Sequence, residues 1–419
     1  MPLTELCVFR SDCSAASHLE PLLILPSSDE AERVAKRAAM NREIFEALQT
    51  KLLENPSLDL ELETMRLQLE AKRKYFPHPT AALLQQRRKP PKPKVQRFPA
   101  ALLESASRPI VLSPLSDTAK TLIFGEDGDG GASADQDSLD QGLRRVLEQG
   151  EVLALLHGCG GVLRCGNKST VDIAVKIVPA SMTGSEYSTL QFLAQHAPDF
   201  PAPKPHGLIK LGNSALILMS YIPSVTLRNV WSTLSHTNKL SIQRQLERLF
   251  SRLRGIKQQA GGRLGGVGGE GVSDSHAWVE HIDSETTMTT AAEFRDFQFS
   301  IEAPCGPEYA AFLRSLLPHP DPNEPAVFTH GDMFPGNIIL DVDPTTPEEY
   351  VVTGIIDWEE SGFYPSWFEA TKVLYTFNED GRKETQYWWQ YVPACIAPAS
   401  YARKWAVRRL WDKANGVNA

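Results

Sequence analysis

The chain has 419 residues and a formal net charge of -8, with 42% apolar and 22% charged residues, the balance of a globular protein with room for two or three domains. The acidic excess argues against a general nucleic-acid binder, and no apolar run is long enough to span a bilayer. Six cysteines are scattered along the chain; the nearest pairs, Cys7/Cys13 and Cys159/Cys165, lack zinc spacing and read as reduced thiols of a cytoplasmic protein.

The opening stretch, MPLTELCVFRSDCSAASHLEPLLILPSS, has no basic n-region and no sustained apolar core, so it is a poor secretory signal. Residues 28–75 read as helical. Ser27 and Ser28 stand where an N-cap belongs, Asp29 and Glu30 suit the positive end of the dipole, and Val34, Ala38, Ile44, Leu48 and Leu52 follow a helical period. NPS at 55–57 breaks the run, and a second helix is expected over 58–75. The segment 72–97 is basic and Pro-rich; it reads as a solvated linker, with nuclear import or an acidic protein partner as the functional alternative. FGEDGDGGASADQDS (124–138) reads as a second, acidic linker. Residues 1–138 are therefore expected to form an N-terminal extension.

From Leu139 the texture becomes compact. VDIAVKIV (171–178) is a strand by its β-branched content, SEYSTLQFLAQH (185–196) a helix, and ALILMSYI (215–222) a strand closed by Pro223. Strand, helix and strand in this order predict a small antiparallel sheet with one packed helix over 139–222. Helices are expected next over Thr237 to Gly255, Ala291 to Phe299 and Pro307 to Leu317, within a mainly helical region 223–419.

The chemistry is concentrated in VFTHGDMFPGNIIL (327–340) and VVTGIIDWEE (351–360). Phosphoryl transfer asks little covalent help of a protein. It needs a held nucleotide, metal on the phosphates and a carboxylate near the attacking hydroxyl. Asp332 can orient or accept the hydroxyl proton, the Asn337 amide oxygen can reach a metal, and Asp357, at a strand end, can supply a second carboxylate. Hard oxygen ligands of this kind suit magnesium.

Together these motifs resemble the catalytic core of the aminoglycoside phosphotransferase and choline kinase group, and within it the large fungal branch of mostly unassigned substrate. LMSYIPSVTLRNVW (218–231) is similar to the group's hinge strand, and LRGIKQQAGGRLGG (253–266) to its LR segment before a Gly-rich turn. The resemblance covers roughly residues 145–375. It implies a two-lobed, protein-kinase-like α+β fold, with lobes at 139–222 and 223–419. It also implies ATP and Mg2+ as cofactors and a small-molecule hydroxyl as acceptor. Under it Asp332 is the catalytic carboxylate and Asn337 and Asp357 are the metal ligands. Lys176 contacts the α- and β-phosphates, with Glu186 as its ion-pair partner. Met219, Ser220, Tyr221 and Ile222 form the adenine-reading hinge, and the glycines of HGCGGVLR, Gly158, Gly160 and Gly161, stand in the phosphate-covering turn.

The departures are informative. The covering turn is not GxGxxG, Ser220 stands where an acidic residue is common, and the metal loop is Asp-Trp-Glu. His330 precedes Gly-Asp with no Arg between, which speaks for small-molecule kinases over protein kinases. His330 itself reads as a structural loop histidine, and AGGRLGGVGGEG (260–271) as a hairpin or loop, since no strand leads into it and no Lys-Ser/Thr follows. Trp358, Phe363, Tyr364 and Trp367 read as lobe core, with an ammonium cage as the alternative. Asp332, Asp357, Glu359, Glu360 and Glu369 are expected around the cleft, which would favour an amine-bearing acceptor. Two functional classes stay open: an active ATP-dependent small-molecule kinase, and a weak or inactive nucleotide-binding scaffold that recruits a partner through its extension.

Overall fold

The computed structural model describes residues 28–54, 99, 102, 107–125, 136–156, 160–166, 172–180, 184–258, 261–272, 287–300, 306–319, 321, 324–346, 348–373 and 387–414. The chain divides into two compact units, Met1–Lys92 and Pro93–Ala419. In the first, a single helix is described, α1 (Ser28–Glu54). The helix expected over 58–75 and the basic segment 72–97 lie outside the described residues, as does most of the acidic run 124–138.

The second unit opens with a six-stranded antiparallel sheet. Its strands are β1 (Pro109–Ser113), β2 (Glu151–Leu155), β3 (Gly161–Cys165), β4 (Ile173–Pro179), β5 (Pro205–Leu211) and β6 (Ser214–Ser220). Their order is β1-β5-β6-β4-β3-β2. Three helices accompany it: α2 (Asp117–Phe124), α3 (Gln136–Gln149) and α4 (Gly184–His196). The expected boundary at 138/139 therefore falls inside a folded unit. The sequence reading also expected one packed helix, and the sheet has cover on both faces.

The alternation within β4 shows why. Ile173, Val175 and Ile177 join a core with Ala119 and Ile123 of α2 and Leu143, Val146 and Leu147 of α3. Ala174 and Val178 face the other way, with Tyr187, Leu190 and Leu193 of α4. A strand buried on both faces reads as a continuous apolar run, and IAVKIV is one, interrupted only by Lys176. The α2–α3 crossing depends on Gly142, where a Cβ would lie 2.2 Å from the Ile123 carbonyl oxygen. Ser116 caps α2 by accepting from the Ala119 N–H at 3.2 Å, and its hydroxyl also meets His206 Nδ1 of β5 at 2.8 Å. These bonds fasten α2 to the sheet.

Beyond β6 the chain passes through β7 (Val225–Thr226) and the one-turn helix α5 (Leu227–Val230) into α6 (His236–Arg254), α7 (Ala291–Ser300) and α8 (Pro307–Ser315). Ser235 caps α6, which buries Ile242, Leu246, Phe250 and Leu253 along one stripe. Two short sheets sit within this helical lobe. One pairs β8 (Ala326–Thr329) with β11 (Gly362–Pro365), and the other orders β10 (Tyr350–Ile355), β9 (Ile338–Val342) and β7. Gln245 of α6 completes an edge of β10: its side chain donates to the Tyr350 carbonyl at 2.8 Å and accepts from the Val352 N–H at 2.9 Å. Helices α9 (Phe368–Lys372) and α10 (Ala402–Ala414) close the lobe. The fold is thus α+β and bilobal, with a small antiparallel sheet followed by a mainly helical lobe. Among the described residues no helix is long and apolar enough to cross a membrane.

Because β1 and α2 belong to the sheet, a chain beginning at Leu139 loses an edge strand and bares the apolar face that Ala119 and Ile123 cover. A chain beginning at Pro93 keeps both. We expect the second to melt cooperatively near the full-length temperature and the first to aggregate or melt well below it, as followed by circular dichroism. Equal melting of the two would show that β1 and α2 add nothing to the core.

Candidate active site

Strand β4 points Lys176 away from the α2–α3 core and toward the helical lobe. Its ammonium lies 2.7 Å from Glu186 Oε2 on α4, an ion pair off hydrogen-bond alignment, and donates to Asp357 Oδ1 at 2.7 Å and Glu359 Oε2 at 3.0 Å. The Lys176 side chain is 6% exposed and that of Glu186 3%. Burial works against the ammonium, but the three carboxylates outweigh it and its pKa lies well above the ordinary lysine value. Burial would likewise raise Asp357, and Lys176 instead pulls its carboxyl below the usual range. Glu186 is raised, because burial outweighs the lysine. Burial and the charge of Asp357 push Glu359 up to about 7.

Three carboxylates around one buried ammonium leave an excess of negative charge, with Glu186 buried, Asp357 half-buried and Glu359 exposed. Carboxylate oxygens of Glu186, Asp357 and Glu359 all lie within 4.8 Å of one another. This donor set, all hard oxygen, fits a divalent cation such as magnesium. Glu359 was not among the residues singled out for the metal. Its signal was its place two residues after Asp357, inside an acidic run that also holds Glu360.

The second half of the site is built where β8 ends. His330 is buried. Its Nε2–H donates to the Ile356 carbonyl at 3.1 Å and its Nδ1 accepts from the Asp332 N–H at 3.2 Å, contacts that assign the tautomer. Burial lowers its pKa, so the ring stays neutral and positions the loop. Glu369 of α9 accepts from the backbone N–H groups of His330 at 2.7 Å and Gly331 at 3.2 Å. Gly331 has φ +85°, and a Cβ there would lie 2.3 Å from the Glu360 carbonyl oxygen. Asn337, closing the 3-10 turn Pro335–Asn337, donates its amide to both the Asp332 carbonyl and Asp332 Oδ2 at 2.9 Å. Burial, then the charge of Asp357, raises the Asp332 carboxyl to about 6.

Pairing of β9 with β10 brings the two motifs together. Ile338 lies opposite Ile355, and the Ile356 N–H donates to the Asn337 carbonyl at 2.9 Å. Asn337 and Asp357 thus stand at adjoining strand ends. Beside them Arg228 of α5 lies over the Phe334 ring, 5.7 Å from its centroid, so α5 flanks the Asp332 loop.

The remaining expected residues fall as follows. Met219 is buried at the end of β6. Ser220 N–H donates to the Lys204 carbonyl at 2.9 Å and Tyr221 N–H to the Asp172 carbonyl at 3.1 Å, so both are engaged within the sheet. Ile222 N–H has no backbone partner among the described residues. Gly160 and Gly161 close the β2–β3 hairpin; a Cβ at Gly160 would lie 2.5 Å from the Ile177 carbonyl oxygen. Gly158 lies outside the described residues.

One expectation is corrected. Glu360 is buried against Lys372, and Glu369 is buried beneath the His330 backbone, so neither lines a cleft mouth. Both acids were expected around the cleft from their closeness to Asp357 along the chain, whereas each serves an internal partner. Trp358, Phe363, Tyr364 and Trp367 are lobe core, as the sequence reading expected, and not the alternative ammonium cage. All four are buried, and they divide between two core clusters, Trp358 and Phe363 in one, Tyr364 and Trp367 in the other. The Gly-rich run, described over 261–272, packs against the strand that follows Asp357. Gly265 exchanges backbone hydrogen bonds with Phe363 at 2.8 and 2.9 Å, and a Cβ on Gly362 would lie 2.1 Å from the Gly265 carbonyl oxygen.

The model of the phosphotransferase enzyme family abbreviated APH matches residues 174–399, more than half of the chain. Among solved structures, an apo thermostable mutant of aminoglycoside phosphotransferase APH(4)-Ia is 11% identical, covering 64% of this chain and 87% of its own, with a TM-score of 0.40. Aminoglycoside phosphotransferase APH(2")-IIa, in a ternary complex with streptomycin and ATP, is 12% identical over 64% and 88%, with a TM-score of 0.40. Macrolide 2'-phosphotransferase MphH from Brachybacterium faecium is 15% identical over 62% and 76%, with a TM-score of 0.34. No curated protein matches.

Replacing Glu369 with Ala would strand two buried N–H groups, at about 1–3 kcal/mol each. The E369A protein is expected to melt several degrees below wild type in a thermal scan. An unchanged melting temperature would show that the loop holds its shape without that carboxylate.

Proposed function

The chain belongs to the phosphotransferase enzyme family, and from that premise we propose that it transfers the γ-phosphoryl group of ATP to a hydroxyl of a small molecule, with magnesium. The observation that carries this reading is the Lys176 cluster. One buried ammonium from the sheet meets Glu186 from a helix and Asp357 from the other lobe, both at 2.7 Å. Beside it stands a turn whose Asp332 and Asn337 are already hydrogen-bonded. A structural ion pair needs only two partners; further carboxylates gathered on one buried ammonium repel one another unless something else neutralises them.

In this reading Lys176 contacts the α- and β-phosphates and Glu186 holds it in place. Asp357 and Asn337 hold the metal, with Glu359 as a further carboxylate within reach of the same place. A magnesium ion bound there would neutralise charge on the transferring phosphoryl group. Asp332 orients the acceptor hydroxyl and takes its proton, and its raised pKa suits a group that exchanges one. Asn337, by donating to Asp332 Oδ2, holds that carboxylate in one orientation. His330 and Glu369 fix the backbone on which both residues ride. The hinge binds adenine through backbone groups, with Ile222 N–H available and Ser220 and Tyr221 N–H committed to the sheet. With Glu360 and Glu369 buried, Asp332, Asp357 and Glu359 are what remains of the five acids expected around the cleft. The proposal therefore commits to a hydroxyl acceptor and not to an amine.

The test combines calorimetry of Mg-ATP binding with phosphate transfer from γ-labelled ATP to a panel of amino alcohols, sugars and aminoglycosides. Replacing Asp332 with Asn is expected to lower transfer by roughly 10²–10⁴-fold while leaving Mg-ATP affinity near wild type. Replacing Asp357 with Ala should also remove the magnesium dependence of nucleotide binding. An Asp357→Ala protein that binds Mg-ATP like wild type would overturn the metal assignment.

A further inference from the structure

Asp357 has φ +69°, one of three non-glycine residues with positive φ among those described. A left-handed backbone at such a residue costs on the order of 1–3 kcal/mol and persists only where the surroundings over-determine it. The surroundings here are specific. The Trp358 indole donates to the Ile355 carbonyl at 2.8 Å, the Trp358 N–H donates to Glu186 Oε1 at 3.3 Å, and the Ser361 N–H closes a turn on the Trp358 carbonyl at 3.2 Å. The Ser361 hydroxyl also bonds the Trp358 carbonyl, and it lies 2.9 Å from the Thr189 hydroxyl.

A serine hydroxyl has one hydrogen to give. Ser361 spends it on the Trp358 carbonyl, so Thr189 must donate to Ser361. The resulting relay runs from α4 to the backbone carbonyl next to Asp357. Both hydroxyl residues are buried, so water does not substitute. Farther along α4, the Ser185 hydroxyl donates to the Glu359 carbonyl at 2.6 Å. Residues 185, 186 and 189 share one helical face. The helix that supplies Glu186 therefore grips the turn after Asp357 at three successive points.

We propose that Thr189 and Ser361 are positioning residues. Their hydroxyl relay locks α4 to the metal loop and holds Asp357 in its left-handed backbone, with its carboxylate on Lys176. This inference rests on the phosphotransferase reading for its metal, and on geometry alone for its mechanics. The relay has a chemical signature: it needs the Thr189 hydroxyl and not its methyl group. Groups that orient metal ligands from behind typically change metal affinity by about 10–100-fold when removed.

The experiment uses the full chain and the variants Thr189→Val, Thr189→Ser and Ser361→Ala. Hydrogen exchange over residues 357–363 is followed in the metal-free protein, and Mn2+ binding in the presence of ATP is followed by electron paramagnetic resonance. Thr189→Val and Ser361→Ala are expected to speed exchange in that segment and weaken Mn2+ binding by roughly 10-fold. Thr189→Ser should behave as wild type on both. Unchanged exchange in Thr189→Val and Ser361→Ala, or a Thr189→Ser protein no better than Thr189→Val, overturns the relay. Wild-type protein that takes up no Mn2+ with ATP overturns the phosphotransferase reading and the metal-positioning role with it. Altered exchange in that case would still separate the two failures.

Discussion

A lysine buried among three carboxylates sets the terms for the rest of this molecule. An ammonium cannot sit in the interior of a sheet unless it is paired, and Lys176 takes three partners from two places in the chain: Glu186 on α4, and Asp357 and Glu359 on the loop after β10. Each partner must arrive from its own direction, so the sheet, the helix and the loop are held in one relation. Breaking such a pair by removing one member typically costs several kcal/mol, because a buried charge is left uncompensated. The same excess of carboxylate makes the place suited to a divalent cation. Stability and chemistry thus make opposite demands on one cluster, and the strained backbone of Asp357 is where they meet.

The loop carrying Asp332 answers a related problem by different means. It is held not by a network of charges but by backbone donors gathered onto one buried carboxylate, Glu369, and by a neutral histidine bonded at both nitrogens. Such a scaffold leaves the Asp332 side chain with few obligations beyond Asn337. Burial and Asp357 can then raise its proton affinity without disturbing the loop. The two halves are registered by ordinary strand pairing between β9 and β10, which sets Asn337 against Ile356.

Much of this was legible in the sequence because it was local. The apolar run around Lys176, the helix that follows it, the HGD turn and the strand ending at Asp357 each carry their own periodicity or turn chemistry. What escaped was non-local. Nothing in PIVLS (109–113) marks it as the partner of β5; it pairs with a strand almost a hundred residues later, and the acidic run after it reads as a linker. Glu360 and Glu369 were expected around the cleft, since burial of an acid depends on a partner that only the fold supplies. The Gly-rich run at 260–271 was read as a hairpin or loop because no strand leads into it and no Lys-Ser/Thr follows. Its purpose lies in its distance from Gly362, where backbone meets backbone too closely for any side chain.

In the proposed function the Lys176 cluster and the Asp332 loop enclose one metal–nucleotide site. Crystals grown with Mn2+ and a non-hydrolysable ATP analogue, measured at the manganese absorption edge, locate the ion directly. The account places the anomalous peak between Asp357 and Asn337, with carboxylate and amide oxygens at about 2.1 Å and Lys176 turned onto phosphate oxygens. A peak elsewhere on the molecule, or ordered nucleotide with no metal at Asp357, would contradict it.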